Sequence, residues 1–281
     1  MRQDEYAFTI PSGKTIHAQS WTPDGSARAA VALVHGFGEH VGRYPHVAER
    51  FTAAGFFFAG LDLPGHGRTD ARHGHASLPL LLEAVGGHIE ETRRRSPGVP
   101  LVLYGHSMGG ALALRYCLER KPDLAAVIAS SPLVRTFTPP PAIKAAAAKL
   151  LKAVLPGLIL NNPLEPGALS RDPAVGEAAQ KDPDCHNLVS ARLGADLMEN
   201  MRWLSSFKGA FPLPLLFMQG TADRIVNAEA SLALAGNLQG DVTVKSWEGY
   251  YHELHNEPER NQVIDFMIDW LNRRVPAVQP R

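Results

Sequence analysis

The chain has 281 residues, 45% of them apolar, with 28 basic and 28 acidic side chains. That is enough apolar chain for a substantial core, and the balanced charge offers neither a basic face for nucleic acid nor an acidic tail. Cys117 and Cys185 lie far apart without metal-ligand spacing, and no uncharged run reaches membrane-spanning length.

Met1-Arg2-Gln3-Asp4-Glu5 is followed by no apolar signal core, so the expected location is the cytoplasm. Tyr6 to Ile10 and Thr15 to Trp21, joined by Pro11-Ser12-Gly13-Lys14, read as an antiparallel hairpin at a sheet edge. Ala29 to His35 is an apolar strand running into Gly36-Phe37-Gly38-Glu39-His40. Tyr44 to Ala54 has helical periodicity and stops at Gly55, and Phe56 to Asp62 is the next strand, ending in Pro64-Gly65-His66-Gly67. Leu78 to Arg95 is a helix closed by Pro97-Gly98. Val99 to Tyr104 reads as a strand buried on both faces, Ala111 to Leu118 as a helix containing Cys117, and Leu124 to Ser130 as a further strand. Such alternation predicts an α/β fold with a mostly parallel, doubly wound sheet and functional loops at the carboxyl ends of its strands.

After Ser131 the alternation stops. Pro132 to Ser206 carries three consecutive prolines, Pro139 to Pro141, an Ala/Lys/Leu helix and no clear strand. Alternation resumes with a strand from Pro214 to Gln219, a helix near Ala228 to Ala235, a strand from Val242 to Trp247 and a closing helix from Glu259 to Arg273. The expected organisation is a core of residues 1–131 and 207–281 with a mainly helical cap, residues 132–206, inserted. On a helical wheel over Ala142 to Leu155, Ile143, Leu150, Leu151, Val154 and Leu155 share one arc, and Lys144, Lys149 and Lys152 fall largely opposite. An amphipathic helix of this kind either packs on the core or lies at a lipid surface.

The chemistry centres on Gly105-His106-Ser107-Met108-Gly109-Gly110. A strand that becomes a helix with no residues to spare strains the middle residue, and glycines two positions either side remove the Cβ atoms that would collide. Ser107 is thereby lifted to a helix N-terminus as a candidate nucleophile. It needs a base that is itself oriented by an acid. Asp223, in Gln219-Gly220-Thr221-Ala222-Asp223, and His252, in Glu248-Gly249-Tyr250-Tyr251-His252, each follow a predicted strand closely, in the chain order nucleophile, acid, base. His255 is a rival base, and Asp241 a rival acid that precedes its strand and so belongs at the opposite sheet edge. The backbone N–H groups of Met108 and Phe37 are the expected oxyanion donors.

These motifs resemble the monoacylglycerol lipase and lysophospholipase branch of the α/β-hydrolase fold. His35-Gly36-Phe37-Gly38-Glu39-His40 with Arg43-Tyr44 is similar to that branch's HGxGEH…RY element, and Gly105 to Gly110 to its GHSMGG elbow. Gln219 to Arg224 matches its QGxxD element, and Tyr251-His252-Glu253-Leu254-His255 its YHxLH element. The resemblance implies Ser107, Asp223 and His252 as nucleophile, acid and base and a lipid ester as substrate. No cofactor or metal is expected, and the amphipathic helix inside a cap over Ser107, continued by the apolar Pro156 to Leu160, points to transient contact with a membrane or micelle. Leu151 and Leu155 are the expected acyl-binding residues. Glu39, Arg43 and His255 either bind the head group or brace the loop from within. Thr69 stands where these proteins commonly carry serine, and Ala178-Ala179-Gln180-Lys181-Asp182 lacks the aromatic that mammalian members place there for glycerol. A glycerol preference therefore does not carry over. His66, His73 and His75 sit in a Gly-rich loop without metal-ligand spacing. Oligomeric state is not legible. Competing readings are a lysophospholipase, a peptidase such as a proline iminopeptidase, cofactor-free peroxidation, and a non-catalytic ligand-binding homologue.

Overall fold

The apolar runs become the strands of one sheet in a computed structural model of the chain, which describes residues 1–138, 150–162 and 165–275. In chain order the strands are β1 (Arg2–Thr9), β2 (Thr15–Thr22), β3 (Ala29–Val34), β4 (Phe56–Leu61), β5 (Leu101–His106), β6 (Ala126–Ser130), β7 (Ile159–Asn161), β8 (Leu188–Ser190), β9 (Gly209–Ala210), β10 (Leu215–Gly220), β11 (Leu238–Gln239) and β12 (Val242–Trp247). The helices are α1 (Pro45–Ala53), α2 (Leu78–Arg95), α3 (Met108–Arg120), α4 (Pro173–Lys181), α5 (Ala191–Ser206), α6 (Ala228–Asn237) and α7 (Arg260–Asn272).

Eight strands form the main sheet in the order β1-β2-β4-β3-β5-β6-β10-β12. The pairs made by β1 with β2 and β2 with β4 are antiparallel, and the rest are parallel. Every residue of β3, β4, β5, β6 and β10 is buried, because helices cover both faces. One face packs Trp21, Phe51, Phe58, Leu216, Met267 and Trp270 under α1 and α7. The other packs Leu81, Leu103, Leu112, Cys117, Leu193 and Phe217 under α2, α3 and α5. Each such fully buried Leu or Phe contributes roughly 1.5–3 kcal/mol. The two faces therefore supply the sheet with ample stability, and its edges are free to carry strained loops.

From β3 the chain steps outward to β4, then crosses back to β5 on the other side of β3. Such a switch point opens a crevice outside the strands' carboxyl ends. Val34, the last residue of β3, is registered with Gly105 of β5, so the loops that follow start side by side.

Sequence and structure part in three places. β5 begins at Leu101 and runs through His106, so the strand ends directly at Ser107. The segment from 132 to 206 contains an antiparallel pair, Ile159–Asn161 against Leu188–Ser190, where no strand was expected; three residues are too few to show alternation. Of the helix expected over 142–155, residues 150–154 are helical and 142–149 lie outside the described residues. Among the described residues no helix is long and apolar enough to cross a membrane.

Candidate active site

Ser107 sits between β5 and α3 at φ 53° and ψ −116°, a left-handed conformation that non-glycine residues rarely adopt. The turn is this tight because the backbone crowds on both sides. A Cβ on Gly105 would lie 2.4 Å from the Gly109 carbonyl oxygen, and one on Gly109 would lie 2.1 Å from the Val34 carbonyl oxygen. The strain is held by backbone bonds from Ser107 N–H to the Ser130 carbonyl, 2.9 Å, and from Leu133 N–H to the Ser107 carbonyl, 2.9 Å.

His252 Nε2 lies 2.8 Å from Ser107 Oγ, and its Nδ1 lies 2.8 Å from Asp223 Oδ2. Asp223 follows β10, and its Oδ1 accepts the amides of Ile225 and Val226 at 2.8 and 2.9 Å while Gln219 Nε2 donates to Oδ2 at 2.9 Å. Burial alone would raise the Asp223 carboxyl, but the His252 ring and the two amides outweigh it and hold it below its ordinary range. Burial would likewise lower His252; the Asp223 carboxylate first, then Glu253 and Glu39, overcome that and raise it. An acceptor-only Asp223 fixes the Nδ1–H tautomer, which leaves Nε2 as acceptor for the Ser107 hydroxyl. Asp241 pairs with Arg274 beside the opposite end of β12, and it takes no part.

The loop after β3 passes against Ser107: a Cβ on Gly36 would come within 3.1 Å of Ser107 Cβ. Gly36 N–H donates to Glu39 Oε1 at 2.6 Å, and Tyr44 Oη donates to the same oxygen at 2.9 Å. Arg43 donates to Glu39 Oε2 at 3.0 Å and grips Glu253 at 2.7 and 2.8 Å. His255 is fully buried, stacked on the Tyr44 ring at 4.8 Å. Glu39 and Arg43 thus bond to each other, to Tyr44 and to Glu253 inside the protein, as a bracing role requires, while the two ring nitrogens of His255 meet no hydrogen-bond partner among the described residues. Thr69 keeps the hydroxyl of a serine in use, donating to the Asp62 carbonyl and accepting the His17 amide.

The inserted segment is stitched to this loop. His186 N–H donates to the Gly38 carbonyl at 2.9 Å, and Gly38, at φ 73°, has no room for a Cβ beneath His186. His40 Nε2 lies 2.9 Å from Asp182 Oδ2, with Cys185 alongside. His40, Asp182 and Cys185 form the one group with metal-ligand spacing among the described residues. His40 Nδ1 accepts the Gly42 amide at 3.2 Å, so Nε2 carries the proton and donates to Asp182. Burial pushes the Cys185 thiol up to about 12. That protonation pattern suits a hydrogen-bonded pin better than a cation. His66, His73 and His186 cluster beside Phe37, with His73 stacked on His186, His66 tilted against it and Phe37 edge-on to His66, and each histidine lies against a backbone carbonyl.

Along 150–162 the arrangement reverses. Leu150, Val154 and Leu155 are 66%, 64% and 55% exposed, and Leu158 and Leu160 are exposed beside them. Leu151 is half-buried. Lys152, expected on a free basic face, is instead held by Asp196 at 2.5 Å and Glu199 at 3.6 Å. Lys144 and Lys149 lie outside the described residues. A groove lined by Leu82, Gly86, Tyr116 and Glu119 shares no residue with the Ser107 site.

A family model described as "Serine aminopeptidase, S33" matches residues 25–259. A monoacylglycerol lipase of Mycolicibacterium smegmatis is 34% identical over 272 residues, covering 96% of this chain and 97% of that one. Homo sapiens monoglyceride lipase is 32% identical, over 97% and 91%. The crystal structure of Paleococcus ferrophilus monoacylglycerol lipase matches with a TM-score of 0.80 at 33% identity, over 98% of this chain and 100% of that one.

Proposed function

This chain belongs to the serine aminopeptidase S33 family of α/β-hydrolases, together with the monoacylglycerol lipases that match it end to end, and from that premise we propose that it hydrolyses acylglycerols or related lipid esters through an acyl-enzyme on Ser107. The observation that carries the reading is the run of two 2.8 Å contacts from Ser107 through His252 to Asp223. His252 takes the Ser107 proton as Oγ attacks the ester carbonyl. It gives that proton to the leaving alcohol, then activates water to release the acid. Asp223 holds the ring in its tautomer and stabilises the imidazolium. The oxyanion takes the N–H of Met108, at the start of α3, and that of Phe37. Gly36 N–H is already committed to Glu39, which makes Phe37 the next amide in the loop. One such donor is worth ~3–4 kcal/mol at the transition state.

Residues 132–206 act as the cap, with Leu151 and Leu155 on the acyl path. The exposed leucines of 150–160 meet the lipid surface where substrate resides, since an apolar patch left in water marks an interaction site. The enzyme is thereby a soluble-side, peripheral visitor to lipid.

The family's description also names an aminopeptidase. A peptide amino terminus calls for a free carboxylate, whereas Glu39 and Glu253, beside the site among the described residues, are engaged by Arg43 and by amide and hydroxyl donors. That favours the ester.

A fluorophosphonate should label the protein stoichiometrically at Ser107, and Ser107→Ala should fold normally while losing labelling and ester turnover. An ester series from acetyl to palmitoyl, with monoacylglycerol beside triacylglycerol and prolyl p-nitroanilide, assigns the substrate class. Near wild-type turnover in Ser107→Ala sinks the mechanism, and faster cleavage of the anilide than of any ester moves the protein to the peptidases.

A further inference from the structure

Glu253, directly after the base in the chain, belongs to no triad, yet it is only 3% exposed. Burying a carboxylate is expensive unless donors surround it. Here Arg43 meets both oxygens at 2.7 and 2.8 Å, and Asn256 Nδ2 donates to Oε2 at 2.7 Å. Arg43 continues to Glu39, whose other oxygen accepts the Gly36 amide. One run of hydrogen bonds thus joins the loop after β3, which supplies the oxyanion donor, to the loop after β12, which supplies the base.

The charge count is informative. Glu39 alone would neutralise Arg43, so Glu253 is not needed for balance. Every contact to the two carboxylates comes from a donor, as ionised groups require. Two negative charges share one guanidinium, and one negative charge is left over. Several elements face His252. The loop after β10 brings Asp223, and β5 and the elbow bring His106 and Ser107. The loop after β3 brings Glu39 and Arg43, and its own loop brings Glu253 and His255. The two histidines add no positive charge to this set. Burial holds His106 down at about 4, and burial with the neighbouring His106 ring holds His255 well below its ordinary value. The His106 ring lies 5.0 Å from that of His252, and His46 on α1 backs His255 through a bond to its carbonyl.

We propose that Glu253 is a positioning residue for the reaction: its pair with Arg43 locks the base loop to the oxyanion loop, and its surplus charge stabilises the His252 imidazolium formed during acyl transfer. This rests on the hydrolase reading above. Geometry supplies the lock, and the lift that Glu253 and Glu39 give to His252 agrees with the charge argument.

The test is Glu253→Gln in the full chain, with kcat and KM for p-nitrophenyl butyrate and the fluorophosphonate labelling rate measured from pH 5 to 9. The variant keeps side-chain volume and leaves Arg43 balanced by Glu39, but its amide nitrogen faces an Arg43 donor and one hydrogen bond is lost, so a thermal melt beside the kinetics checks the fold. Removing a negative charge makes the imidazolium less favourable, so the acid limb should move to lower pH by about half a unit to one unit. Plateau kcat should fall about three- to tenfold, with KM nearly unchanged. Glu39→Gln, which removes a charge from the other end of the run, should move the limb the same way, and it decides the matter if Glu253→Gln is poorly folded. A limb that stays put while kcat falls makes Glu253 scaffold only and overturns the proposal, as does unchanged kcat. Wild-type protein without ester turnover or labelling would instead overturn the hydrolase reading.

Discussion

At the elbow, Ser107 is pinned at positive φ with backbone so close that Gly109 has no room for a methyl group. Along 150–160, by contrast, three apolar residues stand more than half in water. The elbow is over-determined: sterics, backbone bonds and a buried hydrogen-bond run all specify the same positions. The strip is under-determined, because its apolar area has no partner within the described residues. On the proposed function, the difference teaches where each task belongs. Proton transfer over 2.8 Å needs groups that cannot drift, and capture of a lipid needs surface that gains by being covered.

The sharpest way to break this contrast is to alter each region and see which property moves. His252→Ala should cut kcat by about three orders of magnitude or more while leaving the fold intact. His255→Ala, three residues on, removes a ring packed between Tyr44 and His106. It should lower Tm by several degrees and kcat by less than about tenfold. Calorimetry beside ester kinetics checks both. If His255→Ala abolished turnover in a stably folded protein, the base would have to be reassigned.

In the strip, Leu150→Ser with Leu155→Ser should leave Tm unchanged, since neither side chain is in the core. Hydrolysis of long-chain monoacylglycerol in vesicles should drop about a hundredfold, since covering the exposed parts of two leucines is worth roughly 2–4 kcal/mol. Turnover of p-nitrophenyl acetate should stay level. Equal losses on both substrates, or a lower Tm, would make the strip ordinary packing surface.

Mild acid gives the most graded distinction. His88, His106 and His186 are held at about 4, chiefly by burial. Below about pH 6.5 the unfolded chain binds protons that these native rings refuse, so the unfolded state gains. Stability should decline from about pH 6.5 to about 4 and level off in this respect below that. His17, raised chiefly by Asp62, works the other way: its contribution is full in acid and fades as pH rises. Tm across pH 4 to 7.5 should show the decline, while vesicle binding by the strip, which carries no histidine, should not follow it.

Much of the sheet was legible because strands buried on both faces are written as continuous apolar runs. Leu78–Arg95 was readable to the residue with Pro97-Gly98 closing it; the cap at its start, Ser77 accepting the Leu80 amide, is a finding of the structure. The order Ser107, Asp223, His252 could be read from positions after strand ends. That the three meet is a property of the folded sheet. The Arg43–Glu253 pair spans 210 residues, and no spacing rule reaches that far. Its one visible trace was an acidic residue inside the YHxLH element. A helical wheel likewise gave the apolar arc of 150–155 but not its exposure, nor that Lys152 turns to Asp196 on α5. Those depend on what packs opposite, which local sequence does not encode.

The pairing of β6 with β10 has a further consequence. Val127 registers with Leu215 across everything the chain does between 131 and 214. The entropy of closing that excursion grows only logarithmically, about 0.6 kcal/mol for each doubling of length. The sheet is therefore nearly indifferent to how long the excursion is. Its length can change with little penalty to the strands, provided a few attachment points survive, such as Asp196 to the Leu78 amide and His186 to Gly38. Substrate preference and catalytic competence can then diverge independently. A new excursion grafted between Val134 and Pro214 keeps the Leu133 bond that holds Ser107 and so inherits the proposed nucleophile, and its own inner wall decides which ester reaches it.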